Sequence, residues 1–163
     1  MKDTTGHPTP VRRAAERDVA ELVRLRTLLF ETLGGEFFDP AAADGDWRHA
    51  LAAVLKEQLT ADAVRILVVD AADGLAACGI GTIEQRLPGP HLRNGRIGHV
   101  IGMVTDPAHR RRGHSRAIML RLLEWFRERE VARADLYASA DGAPLYRALG
   151  FTEHPDPALY WRP

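Results

Sequence analysis

Apolar residues at Val19, Leu22, Val23, Leu29, Phe30 and Leu33 recur at helical spacing after Glu16 or Asp18, and Gly34-Gly35 stops the run. Val11 to Ala14 precede it as a short strand. Glu36 to Gly45 read as a loop, and Asp46 caps a second helix carrying Trp47, Leu51, Val54, Leu55 and Leu59. From Arg65 the pattern changes. Ile66 to Val69 form a buried strand, Asp73-Gly74 a turn, and Leu75 to about Arg86 a long strand completing a hairpin. Leu87 to Pro90 break that strand, Asn94-Gly95 turn the chain, and Arg96 to Thr105 resume as a third long strand.

Pro107 ends this strand, and a run of arginines leads through Gly113 into a helix from about His114 to Glu130. Met119, Leu122, Leu123 and Phe126 form its apolar stripe, with Arg121, Glu124 and Glu128 on the other side. Ala134 to Ser139 read as a strand and Asp141 to Leu149 as a short helix ended by Gly150. Phe151 to Trp161 read as a last strand interrupted by Pro155 and Pro157. Two early helices, an antiparallel meander, then strand, helix, strand, helix, strand define an α+β fold.

Composition narrows the function classes. The 163 residues suit one domain, read as 10–163 behind a loose tail at 1–9. With 45% apolar and 27% charged residues the chain is neither disordered nor fibrous. Its 22 basic and 22 acidic side chains cancel, which disfavours a general nucleic-acid or anionic-membrane binder. The single cysteine, Cys78, excludes an internal disulfide, and no His/Cys spacing marks a metal site. With no apolar span or signal-like segment, the expectation is a cytoplasmic protein.

Met103 to Ala117 carry the chemistry. A strand ends at a proline, arginines follow, and a glycine opens a helix, so free backbone N–H groups and a positive helix end converge as a phosphate site. No Gly-Lys-Ser/Thr and no GxGxxG is present, so nucleotide hydrolysis and dinucleotide redox chemistry lose their support. Arg26 interrupts the first helix's apolar stripe where an aliphatic residue belongs. Two readings stay open: a snorkelling or surface-paired arginine, and a pocket-facing group for an acidic ligand.

Arg110-Arg111-Arg112-Gly113-His114-Ser115 resembles the signature of the GCN5-related N-acetyltransferase (GNAT) family: arginine or glutamine, two residues, glycine, one residue, then glycine or alanine. Ser115 is the departure. Asp106-Pro107 before it is typical of such proteins, and Ser139 to Phe151, with Leu145-Tyr146 and Leu149-Gly150-Phe151, resembles the family's closing segment. There Ser139 stands in place of an asparagine.

The resemblance implies a mostly antiparallel mixed sheet flanked by helices, its splayed strands holding acetyl-CoA. It maps pantetheine contacts to Met103, Val104 and Thr105, and pyrophosphate contacts to Arg110, Arg111, Arg112, Gly113, His114, Ser115 and Arg116, with Ser139 nearby. Tyr146 takes the position of the proton or hydrogen-bond donor to the leaving thiolate. The partner is a small-molecule or peptide amine, a homodimer is left open, and no metal, nucleic acid or membrane is involved.

An amine with pKa near ~10.4 costs roughly 4.6 kcal/mol to deprotonate at neutral pH, so a base is useful. Glu84, on the face of Cys78, Ile80 and Thr82, and His99, on the face of Ile101, Met103 and Thr105, are the candidates. A hydrogen-bonded sheet residue or edge charge is the alternative for each. A non-catalytic acyl-CoA-binding module is the competing function, and the acceptor has no recognisable motif.

Overall fold

The structure is a computed structural model that describes residues 9–33 and 47–163. The tail up to Pro8, the Gly34-Gly35 stop, the loop at 36–45 and the Asp46 cap lie outside the described residues.

Strand β1 (Arg12–Arg13) leads through a single 3-10 turn at Glu16–Asp18 into α1 (Val19–Leu33), and α2 is Trp47–Gln58. Then come β2 (Val64–Ala71), β3 (Gly74–Gln85), β4 (Arg96–Thr105), α3 (His114–Glu128), β5 (Arg133–Leu136) and α4 (Ala143–Ala148). The sheet order follows the chain, β1-β2-β3-β4-β5. The first four strands are antiparallel, and β5 returns parallel to β4. Such a return requires a crossover, which α3 supplies.

Alternation along the strands divides the core into two layers. Ile66, Val68, Cys78, Ile80 and Val104 pack with Leu22 and Leu25 of α1 and Leu55 of α2. Leu67, Val69, Ala77 and Val100 pack on the other face with Ile118, Met119, Leu122, Trp125 and Phe126 of α3. Ile118, Met119 and Leu122 are completely buried; full burial of such a side chain contributes about 1.5–3 kcal/mol. A Cβ at Gly81 would meet Leu122, Trp125 and Phe126 at 3.0–3.2 Å, so the bare backbone there lets α3 lie close on the sheet.

Several expectations need correction. No residue after Phe151 joins the sheet. Pro155 and Pro157 remove donors from a ladder, and Leu159, Tyr160 and Trp161 are exposed, so neither pairing nor burial makes this segment a strand. In α1 the completely buried residue is Leu25, whereas Leu33 is exposed; in α2 Val54 is exposed and Leu55 carries the contact. Trp125 and Ile118 belong to the buried stripe of α3, while Leu123 is only partly covered.

Arg12 ties the start of the fold together. Its guanidinium donates to both carboxylate oxygens of Asp18 at 2.8 and 2.9 Å and to Asp70 of β2 at 2.8 Å. Arg24 does the same for the end of β4, holding Glu21 at 2.6 Å and Asp106 at 2.6 Å and donating to the Leu75 carbonyl.

Candidate active site

The site begins where two strands part. β4 and β5 pair only from Ile97–Arg133 to Val100–Leu136. Beyond Val100, β4 continues to Thr105 alongside β3, so its edge toward β5 has no strand partner among the described residues.

At the same point β4 bulges. Cys78 pairs with Val104 and Ile80 with Ile101, so two β4 residues, Gly102 and Met103, stand opposite the single Gly79. Gly102 takes φ +62°, a left-handed conformation that glycine accepts without strain. The extra residue reverses the alternation. Met103 faces α3, where a Cβ on Gly79 would collide with its Cε and with Ile118, and Thr105 also turns to α3. His99, opposite Thr82, stays on the α1 face. The single face expected for His99, Ile101, Met103 and Thr105 is therefore split by the bulge. An isolated glycine within a strand pattern is the signal that marks it. Val104 is buried in the α1-side core.

Past β4, Asp106 accepts from the Ala108 N–H and caps the 3-10 turn Pro107–His109. Arg111 and Gly113 then adopt φ of 64° and 79°. The first N–H of this stretch that finds a backbone acceptor is that of Ala117, which donates to Gly113 at 3.0 Å. The N–H groups of Arg110, Arg111, Arg112, Gly113, His114, Ser115 and Arg116 have no acceptor among the described residues. The side chains of Arg110, Arg111, Arg112 and Arg116 are exposed and form no ion pair among those residues. Successive N–H groups at a helix start, on a segment rich in exposed guanidinium groups, can bind an anion. His114 adds a buried Nδ1 without a partner, and burial together with His109 and Arg112 holds its pKa below the ordinary histidine value. Ser115 binds the Thr105 hydroxyl at 2.8 Å, joining the helix start to the end of β4.

Tyr146 of α4 is half-buried on the α3 face, edge-on to Phe151 with ring centroids 6.1 Å apart. Its hydroxyl has no hydrogen-bond partner among the described residues, and burial raises its pKa. It also lines an open groove of about 540 Å³ with Leu123, Leu136 and Phe151. Ser139 is exposed and its hydroxyl accepts from the Gly142 N–H at 3.2 Å, closing the turn into α4.

The structure brings Glu84 and His99 together. His99 Nε2 lies 3.1 Å from Glu84 Oε2, and Arg86 Nε lies 3.2 Å from the same oxygen. These hydrogen bonds, His99 first, hold the Glu84 carboxyl below the ordinary carboxylate range. Cys78 is completely enclosed, its thiol pushed up to about 12 by burial and donating to the Gly102 carbonyl at 3.5 Å, so it supplies no nucleophile near neutral pH. Among the described residues no three His, Cys, Asp or Glu side chains gather as metal ligands, and no helix is long and apolar enough to cross a membrane.

A sequence model of the acetyltransferase (GNAT) family matches residues 23–151. The chain belongs to the GNAT family. Among sequence relatives, glucosamine 6-phosphate N-acetyltransferase 1 of Oryza sativa subsp. japonica is 34% identical over 58% of this chain and 56% of its own length. Glucosamine 6-phosphate N-acetyltransferase of Trypanosoma brucei brucei is 30% identical over 46% of this chain and 52% of its own. The match spans about half the length of these relatives. In fold, a predicted acetyltransferase of Clostridium acetobutylicum solved with acetyl-CoA superposes with a TM-score of 0.80 at 22% identity, covering 93% of this chain and 94% of that one. A GCN5-related N-acetyltransferase of Ralstonia eutropha JMP134 gives 0.79 at 24% identity, covering 93% and 97%.

Proposed function

We propose that this GNAT-family chain transfers the acetyl group of acetyl-CoA to a primary amine by direct attack of the amine on the thioester. The observation that carries this reading is the run of seven N–H groups from Arg110 to Arg116 without an acceptor among the described residues, following the stretch of β4 whose edge no described strand pairs. A phosphorylated carrier needs the first feature, and an extended amide-bearing arm needs the second. Acetyl-CoA is a substrate here and supplies the activated carbonyl.

The remaining roles fall to the chain's own groups. Backbone groups of Met103, Val104 and Thr105 hold the arm, while Arg110, Arg111, Arg112 and Arg116 surround its phosphates with charge. His99, held by Glu84, takes the proton from the amine, directly or through one water; the low pKa of Glu84 makes the carboxylate the poorer base of the two. As the carbon–sulfur bond breaks, Tyr146 offers its proton to the departing sulfur. Its raised pKa keeps it protonated throughout the neutral range. With Cys78 sealed, no acetyl-enzyme intermediate is needed. The two sequence relatives act on an amino sugar phosphate by name, so glucosamine 6-phosphate is the first acceptor to try.

Calorimetric titration with acetyl-CoA tests this reading. Gly113→Val places a branched side chain at φ 79°, where L residues cost about 1–2 kcal/mol, and should weaken binding about tenfold. Thiol release in the presence of amines then separates an enzyme from a silent acyl-CoA binder. Unchanged affinity in Gly113→Val overturns the placement of the phosphates.

A further inference from the structure

Arg26 stands on α1 between the completely buried Leu25 and the aromatic ring of Phe30, its guanidinium carbon 5.1 Å from the ring centroid. It reaches the bulge of β4: a Cβ on Gly102 would lie 3.2 Å from Nη1 of Arg26 and 3.4 Å from Ile80. The residue is half-buried, yet it has no ion pair and no hydrogen bond among the described residues. Its helix neighbour Arg24 holds two carboxylates and a carbonyl, and Arg12 holds two carboxylates. Burial lowers the pKa of Arg26, and among the described residues the thiol of Cys78 acts in the other direction.

Leaving a half-buried guanidinium without an anion is unfavourable. The snorkelling alternative would place the charge in open water, whereas here it turns inward to the sheet. No nitrogen of Arg26 is sealed off, in contrast to the Nε of Arg65, which is buried without a partner among the described residues. The guanidinium therefore keeps contact with solvent.

We infer that Arg26 is the anion-recognition residue of the acceptor site, binding a carboxylate or phosphate carried by the molecule whose amine is acetylated. The inference rests on the acetyl-transfer reading above. Arg26 meets β4 at Gly102, three residues beyond His99 on the same side of the sheet, which is about 10 Å along a strand. An acceptor that spans this interval places its amine at His99 and its anion at Arg26. The planar guanidinium suits a two-oxygen anion bidentately, and partial burial protects that contact from salt.

Matched amine pairs differing only in the anionic group test this: glucosamine 6-phosphate against glucosamine, and amino acids against their amides. Thiol release should show at least a tenfold lower KM for the anionic member of one pair. Arg26→Gln should erase that ratio, Arg26→Lys should keep part of it, and both should retain acetyl-CoA affinity as a control for folding. The pair that responds tells phosphate from carboxylate. Acetylation of neutral amines alone, or a preference that survives Arg26→Gln, overturns the role of Arg26 and leaves the acetyl-transfer reading standing. If no amine is turned over, that reading fails. Calorimetry on coenzyme A-saturated protein then decides: tighter binding of glucosamine 6-phosphate than glucosamine, lost in Arg26→Gln, supports the site, and equal binding of the two sugars overturns it.

Discussion

His99 Nε2 of β4 and Glu84 Oε2 of β3 face each other at 3.1 Å across neighbouring strands. Glu84 pairs with Ile97 and His99 with Thr82, so this is a diagonal contact on one face of the antiparallel pair. A carboxylate fixed on an imidazole selects the ring orientation and tautomer that leave the other nitrogen free to accept a proton. On the proposed acetyl-transfer reading, two candidates that the chain alone offers as rivals take the roles of a base and its positioning partner.

The expected kinetics follow from that division. His99→Asn should lower kcat/KM about 100-fold near neutral pH, within the usual range for a general base. The loss should shrink at alkaline pH, where the free amine is abundant. Glu84→Gln should cause a smaller loss with the same pH trend, because the imidazole remains but is less well held. pH–rate profiles of the three proteins check this. If both variants keep the parent profile, the amine loses its proton elsewhere.

Tyr146 leads to a different pattern. Its hydroxyl lacks a partner among the described residues while its ring packs on Phe151, so Tyr146→Phe keeps the packing and removes only the hydroxyl, the proton donor of the proposed reaction. We expect kcat to fall about 100-fold with acetyl-CoA affinity nearly unchanged, as for an interaction made in the transition state. Single-turnover rates and calorimetry on the same variant check it. An equal loss in affinity would make Tyr146 a packing residue beneath the acyl carrier.

The elements that could be read from the chain are those whose period is enforced by burial on one face. The meander and α3 show their apolar alternation and stripe directly. The turn from β4 into α3 stood out because Pro107 cannot continue the strand and Gly113, at φ 79°, sits at the helix start. What escaped was long-range. The contact of Ser115 with Thr105 explains how serine is accommodated at the signature's last position, but it joins residues on separate elements. The bulge at Gly102 reverses the facing of Met103 and Thr105, a local change that apolar alternation does not show and that only the glycine itself signals. Arg24 and Arg26 are both helical arginines, and only the fold separates them: one clamps Glu21 and Asp106, and the other lies against the sheet with no anionic partner among the described residues. The mistaken last strand failed for the converse reason, since its apolar Leu159, Tyr160 and Trp161 find no layer to cover them.

The Arg12–Asp18 contact makes acid stability predictable. Asp18 is buried, accepts both guanidinium nitrogens and takes the Ala15 N–H at 2.7 Å, and its pKa is lowered chiefly by Arg12. A carboxyl whose folded pKa lies below its unfolded value binds its proton more readily when unfolded. Its contribution is therefore complete above the ordinary carboxylate pKa and is lost as pH falls through the depressed folded value. Asp18→Asn should destabilise the protein by about 2 kcal/mol at neutral pH, the scale of charge-assisted hydrogen bonds. The gap from the parent should then close as pH falls below the carboxylate range. Urea unfolding midpoints at pH 7 and at successive acidic values measure this. A gap that stays constant with pH would show that shape and packing at Asp18, rather than its charge, hold β1 to the turn before α1.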